Sequence, residues 1–523
     1  MKKYLSSGLT LTIISVFLQS QTVLAAEYLV SSASEILSAN PLPGDTLIMS
    51  DGDWIDEAIN FSAIGTSTDP ITLRAQTPGE VVLSGVSTLN ISGEWLIVSG
   101  LRFENGGLSD GAGAIVDFRG SLGDAMHCRF TNSAIINYNA ANIDDRYHWV
   151  KIRGQHNRVD HSRFEGHNHS GVTVVVDRDT SDPDFHLIDA NHFLNRLEGN
   201  GNGFETVRIG TGAQALSDSY TIVENNLFES NDGEIEIVSN KSGNNIYRYN
   251  TFIESAGTLT LRNGHEALVE GNFFLGGNKN RTGGIRVIGE RHTIINNYIA
   301  NVDDRADGAI SISVGNISVE NPNPTGAAYL PVRDVVIAHN TIVNTLGTLV
   351  LFDHGLGSDG RDILAENVVF ANNLLSSSNT AIFEGQEGNN WTWEGNIVFG
   401  GSLGPKDGHS GIEVNQPLLV QDSQGLYRPS LTSPAIDSSD GDYSGLITHD
   451  MDGQVRNPIF DVGADEYAVT EVVRGPLTMQ DVGPAWLNGG ATPAPAFIPI
   501  PPWALLILLP ILVVVRNLRM AKK

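Results

Sequence analysis

The 523-residue chain carries 60 acidic and 32 basic side chains, giving a formal net charge of −28 at pH 7. This charge disfavours nucleic acids and anionic membrane surfaces as partners, and it repels a polyanionic substrate unless a local basic site and salt offset the repulsion. The single cysteine, Cys128, excludes an internal disulfide, so stability has to come from a large core.

The first element in the chain is a predicted secretory signal over residues 1–26. Lys2 and Lys3 precede an apolar run, and small residues surround Ala25 and Ala26. We therefore exclude this segment from the fold and expect an exported protein. The stretch SASEILSA, residues 32–39, predicts a short helix that covers the first turn of the following domain.

Ten apolar triplets of similar form recur through the middle of the chain. They begin at residues 128, 162, 191, 226, 250, 272, 297, 340, 373 and 396, and from residue 191 onward the first position is Asn. The shorter intervals of 22–25 residues suit an all-β fold, a single-stranded right-handed parallel β-helix (solenoid) with about three short strands per coil. Stacked Asn side chains can hydrogen-bond along such a ladder. Leucine-rich repeats would need a Leu framework that is absent, and propeller blades would need longer repeats.

Two neighbouring coils place similar strands side by side. GEIEIV (residues 233–238) and GTLTLR (residues 257–262) each begin seven residues after a repeat asparagine. Strand alternation is expected to send Ile235 and Ile237 inward and to leave the residues between them on the outer face.

Glu234 and Glu236 are therefore expected to line an outer groove instead of the core. Lys241, Arg262 and, one coil further, Arg286 fall on the same wall. Two like charges on one strand face repel and require a cation, and hard carboxylate oxygens suit Ca²⁺. The alternative is a solvated strand face with scattered salt bridges.

The C-terminal part of the chain predicts three further segments. DMDGQVRNPIFDVGADEY, residues 450–467, resembles the closing coil of many bacterial β-helix proteins, so the catalytic solenoid is expected to cover residues 27–467. Residues 468–497 are rich in Pro and Gly and predict a linker. Residues 498–523 combine an apolar run with a basic end, as in the C-terminal sorting tails of some Gram-negative bacteria; a tail anchor is the alternative. We expect location in the periplasm, the outer envelope or the extracellular medium, with membrane association through this tail.

Several blocks of the sequence resemble polysaccharide lyase family 6. They include DGEIEIVSNKS, YRYNTFIESAGTLTLR, LVEGNFFLGG, TGGIRVIGE and GNGFETVRIGTG, and the likeness covers roughly residues 27–400. This family contains alginate lyases and the chondroitinase that cleaves dermatan sulfate. The resemblance implies that the protein cleaves a 1,4-linked uronate chain, alginate first, by Ca²⁺-assisted β-elimination that leaves a 4,5-unsaturated end.

The resemblance also implies roles for individual residues of the groove. Asn202, Glu234 and Glu236 match the calcium ligands of the family. Lys241 matches the Brønsted base, and Arg262 matches the Brønsted acid. A guanidinium rarely gives up a proton, so a water that delivers the proton while the arginine stabilises the leaving oxygen is the alternative.

A second group of residues is expected to contact the substrate, partly from the resemblance and partly from their place on the groove wall. Arg286 matches a substrate-binding arginine, and Glu205 and Arg208 lie in GFETVRIG, on the expected groove wall. Family members commonly have LRHGN after the acid strand, whereas this chain has RNGH, with Asn263 at the histidine position and His265 two residues later. Both are candidates for the same subsite.

Other functions fit parts of the same pattern. A dermatan sulfate or chondroitin lyase would use the same chemistry on another uronate. A mannuronan C5-epimerase would share the first proton abstraction but would return a proton to C5, and its own motifs are not evident. A non-catalytic β-helix that binds polysaccharide would not need the combination of two glutamates, a lysine and an arginine.

Overall fold

The computed structural model describes residues 25–304, 307–317, 328–378, 381–468 and 471–488. The predicted signal, apart from its last two residues, and the whole predicted tail at 498–523 lie outside these residues. Within the described part, no helix is long and apolar enough to span a membrane. The chain winds into a parallel β-helix in which three sheets of 14 strands each run the length of the molecule, which confirms the predicted fold class.

Most coils add one strand to each sheet in the order I, III, II, and one coil adds three strands to sheet II, two of which form an antiparallel pair. Sheet I contains Glu27–Val30, Thr46–Met49, Ile71–Ala75, Leu96–Ser99, Arg129–Thr131, Arg158–Asp160, Leu187–Asp189, Ile222–Glu224, Ile246–Arg248, Leu268–Glu270, Thr293–Ile295, Val336–Ala338, Val369–Ala371 and Thr392–Glu394. Sheet II contains Ala58–Ile64, Thr88–Glu94, Gly113–Asp117, Arg119–Gly120, Gly123–Met126, Tyr147–Ile152, Val174–Val176, Val207–Ile209, Glu236–Lys241, Gly257–Asn263, Thr282–Val287, Ile310–Ser313, Val350–His354 and Phe383–Glu384. Sheet III contains Gly52–Ile55, Val81–Gly85, Leu101–Gly106, Ala134–Ile136, Arg163–Glu165, His192–Leu194, Leu227–Glu229, Thr251–Ile253, Phe273–Leu275, Tyr298–Ala300, Thr341–Val343, Leu374–Ser376, Asn396–Phe399 and Ile412–Val414.

A few short elements stand outside this pattern. They are the helix Ala33–Ser38, the 3₁₀ turns Gly212–Gln214 and Gly404–Lys406, and the antiparallel pair Leu419–Gln421 and Tyr427–Pro429. The helix confirms the predicted N-terminal cap: the Ser32 hydroxyl accepts a hydrogen bond from the Glu35 amide, and Ile36 is buried in the core.

The core is a column of apolar side chains enclosed by the three sheets. Phe164, Phe193, Phe228, Phe252 and Phe274 come from the middle of successive strands of sheet III. Their rings stack with centroids 4.6–5.3 Å apart. This separation is close to the spacing of adjacent strands, so each coil repeats the packing of the coil before it.

The predicted asparagine ladder runs along the turn between sheets I and III. Each side-chain amide donates to the carbonyl oxygen of the next asparagine at 2.9–3.1 Å, and the ladder comprises Asn191, Asn226, Asn250, Asn272, Asn297, Asn340, Asn373 and Asn396. The left-handed backbone position is held by the residue before each ladder asparagine, for example Asn225 and Tyr249, at φ values of 54° and 56°. The ladder satisfies amides that the sharp turn leaves without a strand partner.

The prediction that the triplet at residue 128 begins one of these units is wrong. Cys128 precedes Arg129–Thr131 of sheet I, whereas Ser133 holds the ladder position before Ala134–Ile136 of sheet III. The Cys128 amide donates to the Asn157 side chain at 2.8 Å. A second ladder therefore exists at the turn before sheet I, and its similar local pattern explains the error.

Residues 450–467 do not add a coil to the end of the solenoid. They contain no strand in the described structure and pack along the corner between sheets I and III. The Asn296 side chain donates to the His449 carbonyl at 2.8 Å, and the Ala464 amide donates to the Thr341 hydroxyl at 2.9 Å. These contacts cover the side of the corner. They form there because the turns carry hydrogen-bonding groups that the strand pairing of the sheets does not use.

Residues 471–488, which we call the C-terminal strap, continue along this corner in the opposite direction to the coils. The Arg474 guanidinium lies 3.8 Å from the centroid of the Tyr249 ring. Further along, the Gly483 amide donates to the Ala190 carbonyl at 2.8 Å, and the Trp486 indole donates to the Asn132 carbonyl at 2.8 Å. The strap thus occupies part of the predicted linker and lies on the side of the solenoid away from sheet II.

Candidate active site

The charged residues singled out from the sequence meet on the outer face of sheet II. A cavity of about 450 Å³ opens there. In the described structure it is lined by Gly199, Gly201, Asn202, Gly233, Glu234, Ile235, Glu236, Lys241, Arg262, Arg281, Arg286 and Tyr329.

An irregularity in the strand pairing shapes the floor of this cavity. Glu236 pairs with Thr258 and Val238 pairs with Leu259, so Ile237 is an extra residue that forms a bulge. Ile237 packs in the core as expected, but the prediction that Ile235 points inward is wrong. Because the strand begins only at Glu236, regular alternation does not apply to the residue before it.

Gly257 makes the close approach of these two strands possible. Its φ of +140° is one that side-chain-bearing residues rarely adopt, and an added Cβ would lie only 2.7 Å from the Ile235 carbonyl oxygen. A glycine at this point therefore allows the loop before Glu236 to rest directly on the next coil.

Three carboxylates converge in the cavity. Oxygens of Glu205, Glu234 and Glu236 lie within 4.8 Å of one another. Oε2 of Glu205 and Oε1 of Glu234 are buried and have no hydrogen-bond partner in the described structure. Burial, together with the charges of Glu205 and Glu236, raises the pKa of Glu234 to about 8. Clustered hard oxygens with orphaned lone pairs fit a calcium ion.

The structure places the predicted metal ligands and Glu205 differently from the sequence-based expectation. Glu205, expected to contact substrate, belongs to the carboxylate group and is 1% exposed. Asn202 is exposed at the rim, next to Gly203, whose amide donates to Oε2 of Glu234 at 3.2 Å. Glu236 was expected to be open to solvent, but it is only 7% exposed because basic side chains and the Ser239 hydroxyl cover it.

Glu236 links the basic residues of the cavity. Its Oε1 accepts a hydrogen bond from Nη2 of Arg286 at 2.9 Å and lies 3.5 Å from Nε of Arg262. Nζ of Lys241 lies 3.9 Å from Oε2 of Glu236 and 3.5 Å from Oε1 of Glu205. The three predicted cations thus reach one point from three successive coils.

The Arg262 guanidinium is also held from a later part of the chain. Its Nη1 donates to the Ala328 carbonyl at 3.0 Å, and the group lies 4.1 Å from the centroid of the Tyr329 ring. The Arg361 guanidinium lies 4.3 Å from the same centroid. These contacts fix the orientation of the guanidinium plane as well as the position of its positive charge.

The remaining predicted substrate residues lie outside the described lining of the cavity. Nη1 of Arg208 lies 3.4 Å from Oε1 of Glu205. Asn263 is buried, and its carbonyl accepts a hydrogen bond from the Asn240 side chain at 2.9 Å. Nε2 of His265 lies 3.1 Å from Oδ1 of Asp218, in the turn beyond the strand. His265 is thus paired with an acidic side chain of that turn in this structure, and its contact with substrate stays a prediction.

Two lining residues were missed by the sequence reasoning. Arg281 comes just before the strand Thr282–Val287, and inspection of the residues before each strand of sheet II could have found it. Tyr329 follows Ile310–Ser313 in a long connection without the triplet pattern, so spacing carries no signal for it.

The arrangement has the groups needed for proton abstraction next to an anion. Lys241, when neutral, is a base that reaches the cavity, and two arginines can bind a carboxylate and a developing oxyanion. The carboxylate group can hold a cation at the same place. These functions meet in a water-accessible groove that can admit an extended chain.

Comparisons with known proteins agree with this geometry. A family model described as Chondroitinase B matches residues 30–389. The alginate lyase AlyGC of polysaccharide lyase family 6 is similar at 31% identity and a TM-score of 0.73, over 90% of this chain and 59% of that one. The chain thus spans 59% of the length of AlyGC.

Two further solved structures are similar over nearly their whole length. A mannuronic-acid-specific family 6 lyase from human gut microbiota is 31% identical, with a TM-score of 0.65, over 75% of this chain and 92% of that one. The family 6 lyase Pedsa3628 from Pseudopedobacter saltans is 28% identical, with a TM-score of 0.64, over 76% and 98%. Comparison with curated protein sequences gives no match. The family model and these structures show that the chain belongs to polysaccharide lyase family 6, the family of alginate lyases and chondroitinase B.

Proposed function

We propose that this protein is an alginate lyase that cleaves 1,4-linked uronate chains by β-elimination. The observation that carries the proposal is the position of Lys241, whose Nζ lies 3.5 Å from Glu205 and 3.9 Å from Glu236 in a cavity that also contains Arg262 and Arg286. A base and two anion-binding groups therefore surround one point of an open groove.

Each residue has a defined task in this reaction. Lys241 removes the proton on C5 of the uronate, and the C4 oxygen leaves with its glycosidic partner. Arg286 holds the uronate carboxylate, and Arg262 stabilises the negative charge that develops on the leaving oxygen. Glu236 orients both arginines, because it is within 2.9 and 3.5 Å of their nitrogens.

Glu205, Glu234 and Glu236, with Asn202 at the rim, are the residues that would hold calcium. A bound Ca²⁺ supplies positive charge that neutralises the substrate carboxylate and so acidifies the C5 proton. The protein's part is to keep the three carboxylates together despite their mutual repulsion. The Gly203 amide, which donates to Glu234, and the cations Arg208 and Lys241, which lie beside Glu205, offset this repulsion.

The names of the relatives favour alginate over dermatan sulfate. AlyGC is named an alginate lyase, and the gut lyase is named mannuronic-acid-specific. The matching family model is named for chondroitinase B, so a dermatan sulfate or chondroitin lyase is the second candidate. In the proposal, the basic cavity binds an anionic polysaccharide and the acidic exterior binds no nucleic acid.

The proposed setting is the envelope or exterior of a Gram-negative bacterium. The N-terminal signal pattern and the basic, apolar tail at residues 498–523 support export and membrane association.

The test is to incubate the purified protein with alginate and, separately, with dermatan sulfate. We expect ultraviolet absorbance from the C4–C5 double bond to increase with alginate. Product from dermatan sulfate alone would change the substrate assignment. Saturated chain ends would indicate hydrolysis, and altered C5 configuration without cleavage would indicate an epimerase.

A further inference from the structure

The roles assigned above leave one chemical problem, which is the source of the proton for the leaving C4 oxygen. Arg262 is assigned to stabilise that oxygen, but a guanidinium keeps its protons throughout the range in which proteins are stable. A residue that shares the cavity and carries a transferable proton would solve the problem.

Tyr329 is such a residue. It lines the cavity together with Lys241, Arg262 and Arg286, and it is half-buried. Within the described part of the chain its hydroxyl has no hydrogen-bond partner, in contrast to Tyr247, whose hydroxyl donates to Asn240 at 2.7 Å in the core. The Tyr329 hydroxyl is therefore available to a substrate oxygen.

The surroundings of the Tyr329 ring suit proton donation. The guanidinium groups of Arg262 and Arg361 lie 4.1 and 4.3 Å from the ring centroid. Two fixed positive charges next to the ring favour the negative charge that develops during proton transfer. Nη1 of Arg361 is buried without a hydrogen-bond partner in the described structure. Its positive charge is therefore screened little by water and acts on the neighbouring Tyr329 ring.

The backbone around Tyr329 holds the ring in place. The Tyr329 amide donates to the side-chain oxygen of Asn316 at 2.7 Å, and the Asn316 amide donates to the Tyr329 carbonyl at 3.0 Å. The preceding carbonyl, from Ala328, accepts the hydrogen bond from Arg262. The same short stretch thus positions both the arginine and the phenol.

We propose that Tyr329 is a further catalytic residue, whose hydroxyl gives its proton to the leaving C4 oxygen. The inference rests on the proposed lyase function. Lys241 takes the C5 proton, the electron pair of the C5–H bond forms the C4–C5 double bond, and the C4–O4 bond breaks with its pair on O4. O4 takes the proton from Tyr329. Solvent then returns a proton to the phenolate and removes one from Lys241, so that no other reactant is needed.

The test compares Tyr329→Phe with the wild type on the substrate that the wild type cleaves. The phenylalanine ring keeps the contacts with Arg262 and Arg361 and lacks only the hydroxyl. We expect kcat to fall by about 10²–10⁴-fold with little change in KM. Tyr28→Phe is the matched control, because Tyr28 lies on the first strand of sheet I, far from the cavity in the fold.

A second readout separates a lost proton donor from a disturbed site. In D₂O, Tyr329→Phe is expected to place deuterium at C5 of uncleaved polymer, detected by nuclear magnetic resonance, because Lys241 still removes and returns the C5 proton. Near wild-type kcat in Tyr329→Phe would overturn the assignment. Loss of both cleavage and C5 exchange would also overturn it, since it would show damage to the Lys241 or Arg262 arrangement. A wild type that forms no unsaturated product from any uronate polymer would refute the lyase function itself.

Discussion

Glu236 contacts three basic side chains of the candidate active site in addition to its implied role as a calcium ligand. It contacts Arg286 at 2.9 Å, Arg262 at 3.5 Å and Lys241 at 3.9 Å. Replacing it would leave three cations close together and largely buried, which costs more than the loss of a single ion pair. For this reason, substitutions of the basic residues themselves test the mechanism more cleanly.

Lys241 is expected to be the base, and two substitutions test this. Lys241→Ala removes the amine, and Lys241→Arg replaces it with a group that stays charged and cannot accept the C5 proton. Both should lower kcat by about 10²–10⁴-fold while substrate binding is largely retained. Arg262→Lys should keep some activity, because lysine still offers a positive charge to the leaving oxygen. Arg262→Ala should keep far less, because it removes that charge.

The measurement is kcat beside a binding constant for each variant. Lys279→Arg is the control, because Lys279 pairs with Asp232 at 2.7 Å outside the cavity lining. Near wild-type kcat in Lys241→Arg would make Lys241 a positioning cation. The base would then have to be sought among the other titratable side chains of the groove.

Removal of metal is expected to lower activity. Extracellular calcium sites bind with dissociation constants of about 10⁻⁴–10⁻³ M, so a chelator should inactivate the protein and added Ca²⁺ should restore it. Glu234→Ala combined with Glu236→Ala should abolish the response, and Glu205→Gln should weaken it, because Glu205 supplies one of the orphaned oxygens.

Calorimetric titration with Ca²⁺ and elemental analysis provide the measurement. Asp465→Asn serves as the control. Asp465 forms a second acidic cluster with Asp450 and Asp452, and it lies 3.0 Å from Arg428, so this cluster is not expected to take part in the response. Full activity in a strong chelator, with no metal found in the protein, would rule out a catalytic calcium.

Among the structural elements, the asparagine ladder should carry an unusual share of the stability. Asn272 accepts from the backbone amide and side chain of Asn250 and donates to the Tyr247 carbonyl and to Asn297. Asn272→Ala leaves several of these buried groups without partners, at a cost of about 1–3 kcal/mol each.

Thermal or urea unfolding checks this expectation. Asn142→Ala is the control, because Asn142 is exposed in a loop and its side chain accepts a single 3.3 Å hydrogen bond, from the Asp144 amide, in the described structure. Equal unfolding midpoints for the two variants would show that water or rearranged turns replace the ladder bonds.

The sequence predicts those elements whose pattern repeats from coil to coil. The Asn positions and the placing of Lys241, Arg262 and Arg286 on one wall follow from a shared period. The bulge at Ile237 was not predictable in this way, because it changes the register between two strands without changing the spacing of the asparagines. Tyr329 was missed for a different reason. It reaches the cavity from a connection between strands in which the triplet pattern does not repeat.

At the scale of the whole molecule, the charge of −28 should oppose the approach of an anionic polymer. Salt screens this repulsion over a Debye length of about 10 Å at 0.1 M. We expect kcat/KM on alginate to rise as salt increases toward about 0.1 M and to fall at higher salt, where the contacts with Arg262 and Arg286 are screened as well.

Initial rates at constant Ca²⁺ and increasing NaCl give this profile, and sucrose at matched osmolality controls for solvent effects. A rate that falls continuously from the lowest salt concentration would mean that the basic cavity dominates the approach of the substrate despite the net charge.

The C-terminal strap changes how the solenoid responds to force. Because it runs back from Tyr249 to Asn132, the described chain ends near its early coils instead of at the far end. A pull on the C-terminal end of the described chain is expected to load the strap one contact at a time, beginning with Trp486, which lies against Gly79. Only after the strap has peeled away does tension reach the later coils. We therefore expect the strap contacts to break before the last coils of the solenoid lose their strand pairing.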